Sequence, residues 1–151
     1  GSSTVHDTEI DYEEVKKHFT DPEKASRFVN ETGIDNLAIS IGNLHGLYKT
    51  PKILDIELLK ELRSKLDCFF SLHGGSGTPL ETFKEASKFG VSKININSEL
   101  RKIFREGLFR ELDNNRDEYA VIKLEEPVIE ELTQHMRILL QTFGTSGKLL
   151  V

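Results

Sequence analysis

The sequence predicts an α/β fold of alternating helices and parallel strands, on three observations. Three short apolar runs, 36–41 (NLAISI), 68–72 (CFFSL) and 91–96 (VSKINI), are strand-length. Longer segments with apolar residues at helical spacing lie between them. Each run ends at Gly, Asn, His or Ser, where an α/β fold turns from strand to helix. Strands separated by helices are parallel and joined by right-handed crossovers. An open doubly wound sheet and part of a (β/α)8 barrel both fit. A complete barrel takes about 250 residues, so 151 residues supply only part of one.

The elements follow in order. Thr20-Asp21-Pro22-Glu23 starts a helix, with Thr20 as the cap, Pro22 in the first turn and Glu23 closing a capping box. That helix would bury Ala25, Phe28 and Val29 and stop at Gly33. The first strand is 36–41, and 42–54 is a loop. Asp55 caps a helix with Ile56, Leu59, Leu62 and Leu66 at core spacing. The second strand, 68–72, leads into His73-Gly74-Gly75-Ser76-Gly77. Thr78-Pro79-Leu80-Glu81 reads as a second capping box, opening a helix that ends at Gly90. The third strand is 91–96; Ser98 would cap a helix over 99–112. A last helix over 125–142 carries Val128, Ile129, Leu132, Met136, Leu139 and Leu140 on its apolar side, and 144–148 is a loop.

Bulk composition narrows the function. The net charge is -5 and no basic cluster is present, which argues against a nucleic-acid partner. No stretch approaches the ~20 apolar residues that cross a bilayer, so no membrane partner is expected. Cys68 is the single cysteine, which fits a reducing compartment and a cytoplasmic location. The opening Gly1-Ser2-Ser3 is a tag remnant or native loop.

Ligands of both architectures bind beyond the carboxyl ends of the strands. After the first strand, His45, Gly46 and Lys49 could supply a metal ligand, an approachable N–H and a charge; alone they also read as a turn with surface side chains. After the second, three glycines before a helix start suit an anion, with Ser76 as a hydroxyl donor; a flexible βα turn is the alternative. The spacing is that of neither a P-loop nor a dinucleotide fingerprint. After the third, Asn95 and Asn97 point to one side and Ile94 and Ile96 to the other. Two such amides could hold substrate hydroxyls or phosphate oxygens, or merely cap a helix with Ser98. Two histidines are an incomplete set, since catalytic zinc takes three protein ligands. His135 is placed in a helix far from the rim and His18 in a solvated one; His6, in the irregular N-terminal segment, stays open as a third ligand.

Three segments, 36–49 (NLAISIGNLHGLYK), 69–79 (FFSLHGGSGTP) and 90–101 (GVSKININSELR), together with 143–148 (FGTSGK), resemble successive strand-loop signatures of class II aldolases, which act on fructose or tagatose bisphosphate. The resemblance runs from about Thr20 to Lys148. It implies the C-terminal half of a (β/α)8 TIM barrel with extra C-terminal helices over 20–151, preceded by a mobile loop or tag-derived segment over 1–19. It implies that His45 and His73 are two of three ligands to Zn²⁺ or another divalent metal. Gly46, Lys49, Gly74, Gly75 and Ser76 would lie in the region of the phosphate and of a Na⁺ or K⁺ ion. Asn95, Asn97 and Ser98 would contact the dihydroxyacetone-phosphate part of a phosphorylated sugar. Two departures stand out: Asn97 replaces an acidic residue common in the family, and Ser98 replaces threonine. A larger one is that no Asp-His segment carrying the third ligand and the proton-handling aspartate precedes Thr20. Glu99 and Asp35 read as a helix-start and a loop carboxylate rather than as the base, and Arg116 lies near where the family borrows an arginine from a neighbouring subunit.

The resemblance implies fructose-bisphosphate cleavage by a larger assembly of which this chain is part. A non-catalytic phosphate-binding or scaffolding half-barrel, and a different α/β enzyme, are the alternatives. A half-barrel leaves open sheet edges and uncovered apolar surface, so pairing with an N-terminal half or with a second copy is expected.

Overall fold

A computed structural model describes residues 5–6 and 9–148. Its elements are β1 (Val5–His6), α1 (Tyr12–Lys16), α2 (Pro22–Thr32), β2 (Asn36–Ile39), β3 (Leu47–Tyr48), α3 (Ile56–Lys65), β4 (Phe69–Leu72), α4 (Leu80–Ala86) with a 3₁₀ turn Ser87–Phe89, β5 (Val91–Ile94), α5 (Ser98–Asn114) and α6 (Val121–Thr142).

The main sheet has the order β2-β4-β5, and both pairings are parallel. Asn36 to Ile39 face Phe69 to Leu72 residue for residue. Between β4 and β5 the register slips at Phe70/Ser71, so Phe70 pairs with Val91 but Ser71 with Lys93. The same strand ends therefore emerge on one rim. A separate parallel pair joins β1 to β3, within what the sequence suggests is plain loop.

The core is what the apolar runs predict. Ile39, Phe70 and Leu72 from the strands pack with Leu59 and Leu62 of α3 and Ala25 and Val29 of α2. Asp55 caps α3 by accepting from the Leu58 N–H at 2.9 Å. α2 stops at Gly33, whose φ of 65° is the left-handed conformation glycine adopts freely. The second layer is helical. Gly107 of α5 lies against Val128 of α6, where an added Cβ would sit 3.1 Å from Val128 Cγ1. Phe83 of α4 meets Phe143 edge-on at 5.4 Å.

Several local expectations are corrected. The cap of α2 is Asp21, which accepts from Lys24 N–H at 2.9 Å; Thr20 instead accepts from Ser40 N–H through its hydroxyl. Phe28 is half-exposed, because the face of α2 against the sheet is narrow. α4 starts after Pro79 without a side-chain cap, and Thr78 Oγ1 is buried with no partner. β5 ends at Ile94, α5 runs on to Asn114, and α6 begins at Val121 with Pro127 in its early turns. On α6 only Leu124, Val128 and Leu139 are buried; Ile129, Met136 and Leu140 are exposed, since this helix is covered on one narrow side by α5 and α4.

Candidate functional site

The rim loops converge. His45, Gly46, Gly74, Ser76, Ile94, Asn95, Ile96, Asn97 and Ser98 line one cavity of about 460 Å³ at the carboxyl ends of the strands. That volume is in the ordinary range for small-ligand sites. Seven of the ten residues singled out in the sequence therefore share one cavity. His73 adjoins it through two neighbours. Its ring lies 6.0 Å from that of His45 at an interplanar angle of 60°. Asn95 Nδ2 sits 3.1 Å from its Nδ1 and 3.3 Å from its Nε2, against the ring edge between the nitrogens. Gly75 lies just beneath, packed so that an added Cβ would meet Ile94 and Ile96 side chains at 2.9 and 3.1 Å. Both isoleucines are on Gly75's side and Asn95 is on the side of His73, as strand alternation requires. Lys49 lines a neighbouring cavity instead, with Tyr48, Gly77, Glu99 and His135.

Hydrogen bonds hold the three loops in register. Asn43 accepts from Ile41 N–H and donates through Nδ2 to Ile39 O (3.1 Å) and His73 O (3.0 Å), fastening the end of β2 to the end of β4. Gly75 N–H donates to Asn95 O at 2.9 Å, fastening the β4 loop to the β5 loop. Ser98 does not cap α5. The N-cap is Asn97, with no side-chain bond of its own, and Ser76 Oγ from the adjacent loop accepts from Asn97 N–H (3.1 Å) and Glu99 N–H (3.3 Å). A remote hydroxyl thus serves orphan donors at a helix start. Glu99 Oε2 accepts from Gly77 N–H at 2.8 Å, and its Oε1 lies 2.8 Å from His135 Nε2. His135 is therefore close to the rim rather than far from it: α6 packs along α5, which brings the two together. Two N–H groups of the glycine turn, those of Gly75 and Gly77, are used within the protein.

The largest departure from the sequence reading is Lys52. It carries no local signal in its loop, yet it is only 2% exposed. Its ammonium donates into four backbone carbonyls: Leu44 (2.5 Å) and Gly46 (2.8 Å) of one rim loop, Gly74 (2.8 Å) and Ser76 (2.5 Å) of the next. The Tyr48 ring lies 5.7 Å away. Burial pushes this lysine down to about 8, the negative charge of Glu99 opposing the shift, so it stays mostly charged at neutral pH. Tyr12 of α1 brackets it in sequence, donating to Pro51 O and accepting from Ile53 N–H at 2.6 Å.

Two imidazoles on one tetrahedral ion, with Zn–N bonds of about 2.0–2.1 Å, have ring centroids roughly 5.2 Å apart. The His45 and His73 rings stand at 6.0 Å, so sharing one ion takes a small inward rotation of a ring. Among the described residues no group of three His, Cys, Asp or Glu side chains could hold an ion, so further ligands would have to come from elsewhere. His6 stacks on Tyr48 at 4.5 Å. Arg116 pairs with Asp113 at 2.5 Å on the α5–α6 connection. Among the described residues no helix is long and apolar enough to cross a membrane.

Comparisons with known proteins give the family and the fold. The family model for fructose-bisphosphate aldolase class II matches residues 3–148. The Escherichia coli (strain K12) protein YdjI, whose function is uncharacterized, is 34% identical over 148 residues, which is 98% of this chain and 50% of YdjI. The crystal structure of the YdjI aldolase superposes with a TM-score of 0.71 at 35% identity, over 87% of this chain and 48% of the other. A fructose-bisphosphate aldolase of Campylobacter jejuni has the same TM-score at 23% identity, over 85% and 45%, and shows the shared fold. The chain spans about half the length of these relatives. Its parallel strands and helices are accordingly those of a partial (β/α)8 barrel, and the chain belongs to the class II fructose-bisphosphate aldolase family.

Proposed function

We propose that this chain supplies one side of a metal-dependent ketose-bisphosphate aldolase site, for reversible cleavage of fructose 1,6-bisphosphate to dihydroxyacetone phosphate and glyceraldehyde 3-phosphate. The observation that carries this reading is the meeting of His45, the glycine turn and the 95–98 stretch at one cavity mouth. His45 and His73 would be two ligands to Zn²⁺ or another divalent ion, which when bound polarises a ketone carbonyl as a Lewis acid.

The chain's own groups bind and orient. Gly46 and Gly74 bring backbone to the cavity wall without a side chain in the way. Ser76 accepts two N–H bonds through Oγ, which leaves its O–H proton to donate to a phosphate oxygen. Gly75 keeps the turn tight against β5. Lys49, in the adjoining cavity, would supply charge to the same anion. Asn95, Asn97 and Ser98 would hold the triose-phosphate oxygens, Asn95 also steadying the His73 ring. Such placement contributes to rate through orientation. Proton transfer at the reacting carbon needs a base, which we assign to an N-terminal half of the barrel, because among the described residues no carboxylate lines the cavity.

We assign residues 1–19 to a segment, loop or tag-derived, that precedes this half and contains β1 and α1, and 20–151 to the partial barrel. Phe69, Phe109, Tyr119, Val121, Ile122 and Ile129 are each more than half exposed, which supports pairing with an N-terminal half or a second copy. The single cysteine supports a cytoplasmic location.

The test is cleavage of fructose 1,6-bisphosphate with Zn²⁺, by the chain alone and mixed with a segment equivalent to the first half of YdjI. Activity is expected only in the mixture and should disappear with His45→Ala. Phosphate binding without cleavage in either case would instead mark a non-catalytic binding module. Equal activity of wild type and His45→Ala would refute the metal assignment.

A further inference from the structure

We propose that Lys52 is an internal cation occupying the place of an alkali ion, so that the two rim loops are tied together without Na⁺ or K⁺. Its ammonium has three protons but four carbonyl acceptors within 2.8 Å. At least one carbonyl is therefore held by charge and dipole rather than by a proton of its own. A ring of converging carbonyls around one desolvated positive charge is the arrangement by which backbone replaces the hydration shell of an alkali ion. Here the charge is covalently attached, and the carbonyls come in pairs from two loops, 44 and 46 from one, 74 and 76 from the other.

The two loops close tightly around the ammonium: Gly74 approaches the first loop so nearly that a Cβ would stand 2.3 Å from Leu44 O. Lys52 itself is essentially buried. The Na⁺ or K⁺ implied by the family resemblance thus does not fit this chain, because lysine already fills the shell. Without a cation, four carbonyl dipoles would face one another across a dry gap, an unfavourable arrangement in low dielectric. Lys52 is accordingly a positioning residue for the loops that carry His45, His73 and Ser76. This inference goes beyond the aldolase reading and holds whether or not the cavity takes a sugar bisphosphate.

The test measures thermal unfolding midpoints of the full 151-residue chain, of Lys52→Ala and of Lys52→Met in equal concentrations of NaCl, KCl, NH₄Cl or tetramethylammonium chloride. Tetramethylammonium is too bulky to enter the carbonyl ring and has no N–H to donate. Wild type should melt at the same temperature in all four salts. Lys52→Ala, which vacates the ring, should regain about 3 °C or more in K⁺ or NH₄⁺ relative to tetramethylammonium. Lys52→Met, whose side chain still fills the path but carries no charge, should not. Hydrogen exchange at 44–46 and 74–76 should slow with the same cations in Lys52→Ala only. The proposal is overturned if wild type itself is stabilised by Na⁺ or K⁺ over tetramethylammonium. It is equally overturned if Lys52→Ala is indifferent to the cation or stays unfolded in every salt, since an emptied ring would then not take an ion. Sugar-bisphosphate cleavage is not read in this experiment, so its failure is distinguishable from failure of the aldolase assignment.

Discussion

Replacing Gly74 by alanine tests how tightly the rim is drawn together. Two separate penalties meet at this residue. Its φ of 66° lies in the left-handed region, which costs a Cβ-bearing residue roughly 1–2 kcal/mol. An alanine Cβ would also stand 2.3 Å from Leu44 O, 2.4 Å from Leu44 C and 2.8 Å from His45 N. Ordinary contacts lie at about 3.5–4.0 Å, so backbone would have to shift, at about 1–3 kcal/mol for an overpacked site. Loss of unfolded-chain freedom offsets about 0.4–1 kcal/mol of this. The net is a destabilisation of about 1–4.6 kcal/mol. Gly144 is the internal control: its φ is 70°, yet nothing lies within 4 Å of an added Cβ. Gly144→Ala carries the dihedral penalty alone. Urea unfolding of both variants isolates the contact contribution as the difference between them, about 1–3 kcal/mol. Because the displaced atoms belong to Leu44 and His45, Gly74→Ala should also weaken Zn²⁺ and phosphate binding, and Gly144→Ala should not. Coincident urea midpoints for the two variants would refute the close approach of the two loops and the shared rim built on it.

Two further outcomes follow from the same geometry. Ser76→Ala removes the hydroxyl that serves Asn97 and Glu99 N–H groups, and should destabilise the chain by about 0.5–2 kcal/mol in urea unfolding, as loss of a helix cap does; an unchanged midpoint would show that water replaces it. The Cys68 thiol is pushed up by burial, with Asp67 adding to the shift and Arg63 opposing it. A raised thiol is less ionised at pH 8, so iodoacetamide should label native Cys68 far more slowly than the urea-unfolded chain, and equal rates would contradict its burial.

What was legible in the sequence is local and periodic. The strands at 36–39, 69–72 and 91–94 follow from short apolar runs, and the Asp55 cap and the Gly33 stop follow from residue chemistry at helix ends. Parallel pairing follows from alternation with helices, whereas the order β2-β4-β5 was decided by the fold. Because ligands sit at the carboxyl ends of such strands, seven residues that share one cavity could be named before their distances were known. Tertiary structure alone decided the rest. Thr20 and Ser98 look like caps by composition, but neighbouring Asp21 and the remote Ser76 take those places. His135 reaches the rim only because α6 lies along α5. Lys52 looks like any exposed loop lysine until folding brings carbonyls 44, 46, 74 and 76 around it. The division has one physical cause. Periodicity and capping act between residues a few positions apart, whereas desolvation and charge act between whatever groups the finished fold brings into contact.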